Sequence, residues 1–204
     1  MSRNARGQIT EDAFKAAARA VFARKGFLRA TIADIAEEAG RSSASFYNYF
    51  DTKESLLAHL ADEFPVEVVG RAEAGYRRDA TPRQDIEEKV RAYWTTYRDK
   101  LPELVGVFQV AMVDDEFALR WRVTRQGGID TMAKLIRKAQ RQGYAPGMDA
   151  RTTASALGAM LEHYCYVWLA AGGDHNSPAL NEERSIATLS EIWYRAVYWS
   201  ETRI

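Results

Sequence analysis

Cysteine is nearly absent: Cys165 is the single one in 204 residues. No intrachain disulfide can form, and a reducing cytoplasm is the expected setting. Histidine is scarce too, with only His59, His163 and His175. Cys165 follows His163 by two residues, which is wrong for a shared helical face. Neither Glu162-His163 nor Asp114-Asp115-Glu116 has the spacing of a metal cage on one face. No glycine-rich phosphate loop is present. The expectation is therefore no enzyme, no cofactor and no metal. No apolar run reaches the roughly 18 residues that span a bilayer, and Met1–Gly7 is polar, without the apolar segment of a signal peptide. Neither a membrane nor export is expected. A charge excess of one sign is also missing, with 28 Lys and Arg against 28 Asp and Glu. That excludes bulk attraction to polyanions, although Met1–Leu60 carries nine basic against seven acidic residues. The small local excess points weakly to nucleic acid at that end.

What the chain does have is 47% apolar composition, enough for one domain or for a small domain joined to a larger one. Its apolar residues recur with helical period almost throughout, and no strand, repeat or low-complexity tract stands out. Phe14, Ala17, Ala18, Val21 and Phe22 form one stripe, with Thr10 as N-cap and Gly26 as stop. A short second helix follows from Thr31, where Asp34 completes a capping box; Ile32, Ile35, Ala36 and Ala39 face inward and Gly40 ends it. Ser42 caps a third helix with Phe46 and Phe50 inward, and Asp51–Glu54 opens a fourth. Further helices are predicted at roughly 53–74, 82–100, 102–112, 115–142, 149–172 and 182–200, broken at Pro82, Pro102, Gly143–Gly147 and Gly172-Gly173. Pro65 either kinks the fourth helix or starts a new one after Phe64. The fold expected is all-α, about nine helices: a three-helix domain over 1–55 and a larger helical domain over 56–204.

Three short helices, the second and third joined by a glycine turn, make a helix-turn-helix pattern, although any small helical bundle has caps and glycine stops. The stretch Thr31–Gly40, then Ser42–Phe50 with Phe46-Tyr47-x-Tyr49-Phe50-x-x-Lys53-Glu54, resembles the TetR family of bacterial repressors over positions 10 to 60. The resemblance implies a homodimer on double-stranded operator DNA. On the third helix Ser43, Ala44, Tyr47 and Asn48 share a face opposite Phe46 and Phe50, free to enter a major groove. Thr31, Tyr49 and Lys53 fall at positions suited to phosphate, and Ser42, the cap of the third helix, is counted with the DNA-binding positions. Arg3 and Arg6 read either as an arm along the DNA or as a solvated tail. Arg41 stands where the family usually has an apolar residue, and Ala44 where glycine or proline is common, so the operator cannot be carried over from a relative.

The C-terminal half is similar to a branch of that family, that of the ethionamide-resistance repressor of mycobacteria, in Ile136–Gly143, Ala154–Glu162 and Glu191–Tyr198. This likeness implies a mostly apolar small-molecule channel lined by positions Tyr93, Tyr97, Thr131, Met132, Leu161, Glu162 and Trp193. The aromatic load of five Trp, ten Tyr and eight Phe adds Phe108, Met112, Trp121 and Leu135 as candidates, each of which also fits an ordinary core. Gly158 and Leu161 stand where that relative carries ligand-binding amides, so polar contacts are expected from Glu162, Thr131 or tyrosine hydroxyls instead. The family dimerises through its last two helices, which implies an interface from Leu157, Tyr164 and Trp168 with Leu189, Ala196 and Val197, although the same stripes also fit the core of one protomer. The expected function is a ligand-released repressor. An activator, a ligand-independent architectural DNA binder, or a helical lipid carrier with a vestigial DNA-binding domain are the alternatives.

Overall fold

In the computed structural model, residues 3–176 and 178–200 are described, with side chains from Gly7 onward. Among them are nine α-helices and no strand. The helices are α1 (Arg3–Lys25), α2 (Ile32–Glu38), α3 (Ser43–Phe46), α4 (Lys53–Ala74), α5 (Pro82–Asp99), α6 (Leu101–Ala111), α7 (Asp115–Arg141), α8 (Ala150–Cys165) and α9 (Glu182–Val197). None is long and apolar enough to cross a membrane. Two compact units share the chain: residues up to Glu63 with Lys100–Arg122, and Phe64–Asp99 with the residues from Val123 on. α4 and α7 each contribute to both.

The first unit is built on the stripe read from the sequence. Phe14, Ala18, Val21 and Phe22 of α1 are fully buried against Ile35, Ala36, Phe46, Leu56, Leu57 and Leu60. Each large side chain so buried contributes roughly 1.5–3 kcal/mol. Val107 and Val110 of α6 and Phe117 of α7 join this core. Gly106 explains how α6 comes so close: a Cβ there would stand 2.9 Å from Cβ of Phe27.

The second unit packs α5 against α9. Ile86, Val90, Trp94 and Tyr97 are buried on α5, and Ile186, Leu189, Trp193 and Val197 on α9. Ion pairs Arg91–Glu183 and Arg98–Glu182, both at 2.7 Å, hold the rims. The backbone N–H of Ala145 donates to the carbonyl of Trp199 at 2.8 Å, tying the turn after α7 to the end of α9.

Three boundaries differ from the sequence reading. α1 begins at Arg3, so Thr10 lies inside it and the backbone of Arg3–Gly7 is helical rather than an arm; no proline lies between Arg3 and Thr10, the helix carries Gly7 in its interior, and Gln8 reaches Asp12 one turn on at 3.0 Å. The side chains of Arg3 and Arg6 lie outside the described residues. α3 is a single turn ending at Phe46, after which i+3 bonds such as Tyr49 N–H to the Phe46 carbonyl tighten the chain, while Phe46 and Phe50 still point inward. α4, by contrast, keeps the predicted bounds, Lys53–Ala74, and runs unbroken through Pro65. α8 does not continue to Gly172 as an α-helix but widens into a π-helical stretch over Tyr166–Ala170.

Candidate functional site

The turn Gly26–Ala30 is fixed from three sides before α2 begins. Lys53, the first residue of α4, aims its ammonium at the carbonyls of Phe27 (3.2 Å), Leu28 (3.4 Å) and Ala30 (3.0 Å) and sits over the Phe27 ring. The expected phosphate ligand is thus engaged by the backbone, its three donors matched to three acceptors. Thr31 then caps α2: its hydroxyl accepts from the Asp34 N–H, and the Asp34 carboxylate accepts from the Thr31 N–H. Lys25, at the end of α1, grips the other Asp34 oxygen at 2.6 Å.

These bonds, that from Lys25 first and those from Thr31 next, hold the Asp34 carboxyl down at about 2, against an ordinary value of 3.8. A carboxyl lowered by folding contributes stability above its unfolded value, and that contribution is lost as pH falls toward the folded one. Thermal melting of wild type should therefore lose an increment between pH 3.8 and about 2 that Asp34→Asn lacks. Parallel acid profiles for the two proteins would show that the charged box adds nothing to stability.

Gly40 takes φ +62°, a left-handed conformation that glycine adopts without strain, and the chain reverses into α3. Ser42 caps that turn by accepting from the Ser45 N–H at 3.2 Å, so its hydroxyl serves the backbone. With Phe46 and Phe50 buried, Arg41, Ser43, Ala44, Tyr47 and Asn48 stand exposed together. The Tyr47 ring is 56% exposed and rests edge-on against Phe46. Tyr49 instead leans on Phe14, half-buried.

This arrangement of a capped helix, a glycine turn and a second helical turn showing small residues and a tyrosine outward matches a known family. The profile of bacterial regulatory proteins of the tetR family matches residues 16–60, and that of the C-terminal domain of transcriptional regulator EthR matches residues 86–199. The chain belongs to the TetR family. Its C-terminal half is of the EthR type. The EthR regulator of Mycolicibacterium smegmatis is 28% identical over 198 residues, covering 94% of this chain and 88% of that protein. That of Mycobacterium tuberculosis is 27% identical over 177 residues, 82% of this chain and 77% of the other. Solved structures share the fold. The fatty acid degradation regulator FadR of Bacillus halodurans superposes with TM-score 0.72 at 18% identity, covering 92% of this chain and 94% of that one. A tetR-family regulatory protein of Rhodococcus RHA1 gives 0.69 at 22%, covering 98% and 100%. The matched family and the relatives are transcriptional regulators, not enzymes.

The EthR-like half distributes the candidate effector residues unevenly. Tyr93, Tyr97, Thr131, Met132, Leu135, Leu161, Glu162 and Trp193 fall in the second unit, whereas Phe108, Met112 and Trp121 fall in the first. Met112 ends α6 and is 82% exposed. Trp121 packs on the core of the first unit. Thr131 is exposed, its hydroxyl donating to the Gly127 carbonyl. Aromatic content alone could not sort these residues, because it does not register which unit a helix packs into. Leu161 and Trp193 are buried core. Met132 fills the space over Gly158, where a Cβ would meet its methyl at 3.1 Å. Glu162 forms an ion pair with Arg125 of α7 at 2.9 Å, a partner that sequence reasoning missed because the pair spans two helices and follows no period.

The interface candidates change as well. Leu157, Leu189 and Val197 are buried within the protomer at 6%, 1% and 2% exposure. Tyr164 shares its hydroxyl with Ser185, and its ring stacks on Trp168, which covers Gly173; Ala196 is half-buried. The long apolar stripes of α8 and α9 serve the protomer's own core. The outward faces carry Ser155, Ala156, Ala159 and His163 on α8, and Ala187, Thr188, Ile192 and Arg195 on α9.

Proposed function

We propose that this TetR-family regulator is a ligand-responsive repressor of the cytoplasm that binds a palindromic operator as a homodimer and is released by a mostly apolar small molecule. The observation that carries the reading is the exposed face of Arg41, Ser43, Ala44, Tyr47 and Asn48 directly behind the buried Phe46 and Phe50. Small residues at the start of that face allow close approach of backbone to base edges, and Tyr47 can meet a thymine methyl with its ring and a phosphate with its hydroxyl. Thr31 and Lys53 contribute differently than a direct contact would suggest. Lys53 shapes the turn that presents the α2 N-terminus, while its charge stays near the DNA. Tyr49 is placed for a phosphate at the edge of the same face.

Residues 1–55 are the DNA-binding part in this reading and 56–204 the effector and dimer part. Two copies meet through the outward faces of α8 and α9, with Ala159 and Ile192 near the centre. The effector need only bind better to the conformation that fits DNA poorly, and that difference in affinity sets the response. The polar and apolar residues of the second unit (Tyr93, Tyr97, Met132, Leu135 and Glu162) are its candidate contacts.

The test is selection of bound fragments from genomic DNA, followed by affinity measurements on the selected operator. Tyr47→Ala should weaken operator binding by roughly 1–3 kcal/mol while leaving non-specific DNA nearly unchanged. Equal operator affinity for wild type and Tyr47→Ala would remove this face from the interface.

A further inference from the structure

Inside the second unit, polar groups from three helices converge, and one of them has no partner. Tyr93 and Tyr97 lie four residues apart on α5, hence on one face, with ring centroids 6.1 Å apart. Both rings stand edge-on to Phe64, at 5.3 and 6.3 Å. Tyr97 is 1% exposed, and its hydroxyl has no hydrogen-bond partner among the described residues. Burial first, and then the nearby Glu162 and Cys165 of α8, push both hydroxyls well above the ordinary tyrosine range, so both keep their protons. Glu162 is held by Arg125 at 2.9 Å. Just past Cys165 the helix widens into its π-helical stretch, a distortion that is frequent at functional sites. Buried hydroxyls without partners are rare in folded proteins, because an unmade hydrogen bond away from water costs free energy.

We infer that Tyr97 donates a hydrogen bond to the head of the effector, and that this head is an uncharged oxygen acceptor, a carbonyl or ether, on an otherwise apolar molecule. The inference rests on the reading of this unit as the effector domain. A protonated phenol donates, so the group that satisfies it accepts. The surroundings decide the charge. Arg125 and Glu162 neutralise each other, so a carboxylate head would meet the Glu162 carboxylate without a cation of its own, and an ammonium head would meet Arg125 without an anion. The other candidate polar contacts are spent or absent. Thr131 is exposed with its hydroxyl on Gly127, and Gly158 and Leu161 carry no polar side-chain atom. Phe64, Tyr93 and Met132 supply apolar surface in the same unit.

The experiment uses the full chain and four probes of equal length: 2-undecanone, undecane, undecanoate and undecylamine. Binding is followed by intrinsic tryptophan fluorescence and by melting temperature, for wild type and Tyr97→Phe. The ketone should bind wild type about ten-fold more tightly than the alkane and more tightly than either charged probe. Tyr97→Phe should erase that ten-fold advantage, leave alkane binding unchanged and not lower the melting temperature of the unliganded protein. A merely structural role for the hydroxyl would lower that temperature and leave the preference intact. Retention of the ketone preference in Tyr97→Phe, or tighter binding of undecanoate or undecylamine than of the ketone, overturns the inference while leaving the effector reading in place. Failure of all four probes to bind wild type overturns both.

Discussion

Glutamates placed at Ala159 and Ile192 should turn the protein into a folded monomer, whereas glutamates at Leu157 and Val197 should unfold it. The two pairs sit on the same two helices and differ only in direction. Ala159 is exposed and Ile192 is 46% exposed, while Leu157 and Val197 are 6% and 2% exposed. A carboxylate forced into either buried position loses its hydration, and an uncompensated buried charge costs about 3–5 kcal/mol. On the outward faces the same carboxylates remain in water in the monomer and are desolvated only if a second copy covers them. Operator affinity of the folded monomer should fall by at least about 100-fold, since the second half-site is no longer held at high effective concentration. Sedimentation and circular dichroism separate the outcomes. A surface double variant that stays dimeric would move the interface elsewhere, and a well-folded Leu157→Glu, Val197→Glu protein would contradict the packing of α8 and α9.

Arg19→Leu should destabilise the first unit by about 2–3 kcal/mol, below the value for a fully buried pair because Arg19 is one-third exposed. Arg19 of α1 bridges Glu63 of α4 and Glu103 of α6, the latter at 2.9 Å. Glu103 is 3% exposed, and one of its oxygens has no hydrogen-bond partner among the described residues. Burial raises its carboxyl above the ordinary value, and the charges of Arg19 and Lys100 offset part of that rise. Removing Arg19 strands a buried carboxylate. A carboxyl raised by folding favours the fold below its unfolded value and loses that contribution as pH rises through the folded one. The deficit of Arg19→Leu should therefore shrink from neutral pH toward pH 4.5, the ordinary value for this group. Adding Glu103→Leu should recover most of the loss, because a buried ion pair replaced by apolar side chains of similar volume is often neutral. Denaturant melts at two pH values read both effects; an additive double variant would mean that the two side chains are not coupled.

What the sequence made legible is whatever is decided within a few residues. Thr31 with Asp34, Ser42 with Ser45 and the glycine at 40 act through neighbours three or four positions away, so the helix-turn-helix could be read directly, including which aromatic residues face in. The stripe Phe14–Phe22 was likewise legible, since one period identifies one face. Periodicity does not say which partner a face meets. The stripes of α8 and α9 fitted either a second copy or the protomer's own core; Leu157, Leu189 and Val197 meet that core, and the smaller outward residues gave no comparable signal. Met112 and Trp121 were candidates for the effector site on composition alone; Met112 ends α6 exposed and Trp121 packs on the core of the first unit. Arg19–Glu103 and Arg125–Glu162 spread over 84 and 37 positions, and no local rule pairs such residues. No cap or breaker in the sequence announces the π-helical stretch after Cys165.

Hydroxyl-radical footprinting on a selected operator, with wild type and Tyr47→Ala side by side, tests the central claim most directly. For wild type the expected result is a two-fold symmetric footprint whose half-sites lie about 34–36 Å apart, or a multiple of that spacing. Tyr47→Ala should lose the footprint at concentrations where wild type protects fully, while still retarding non-specific DNA at low salt. A single asymmetric footprint, or one that Tyr47→Ala reproduces unchanged, would contradict a dimer that reads its operator with this face.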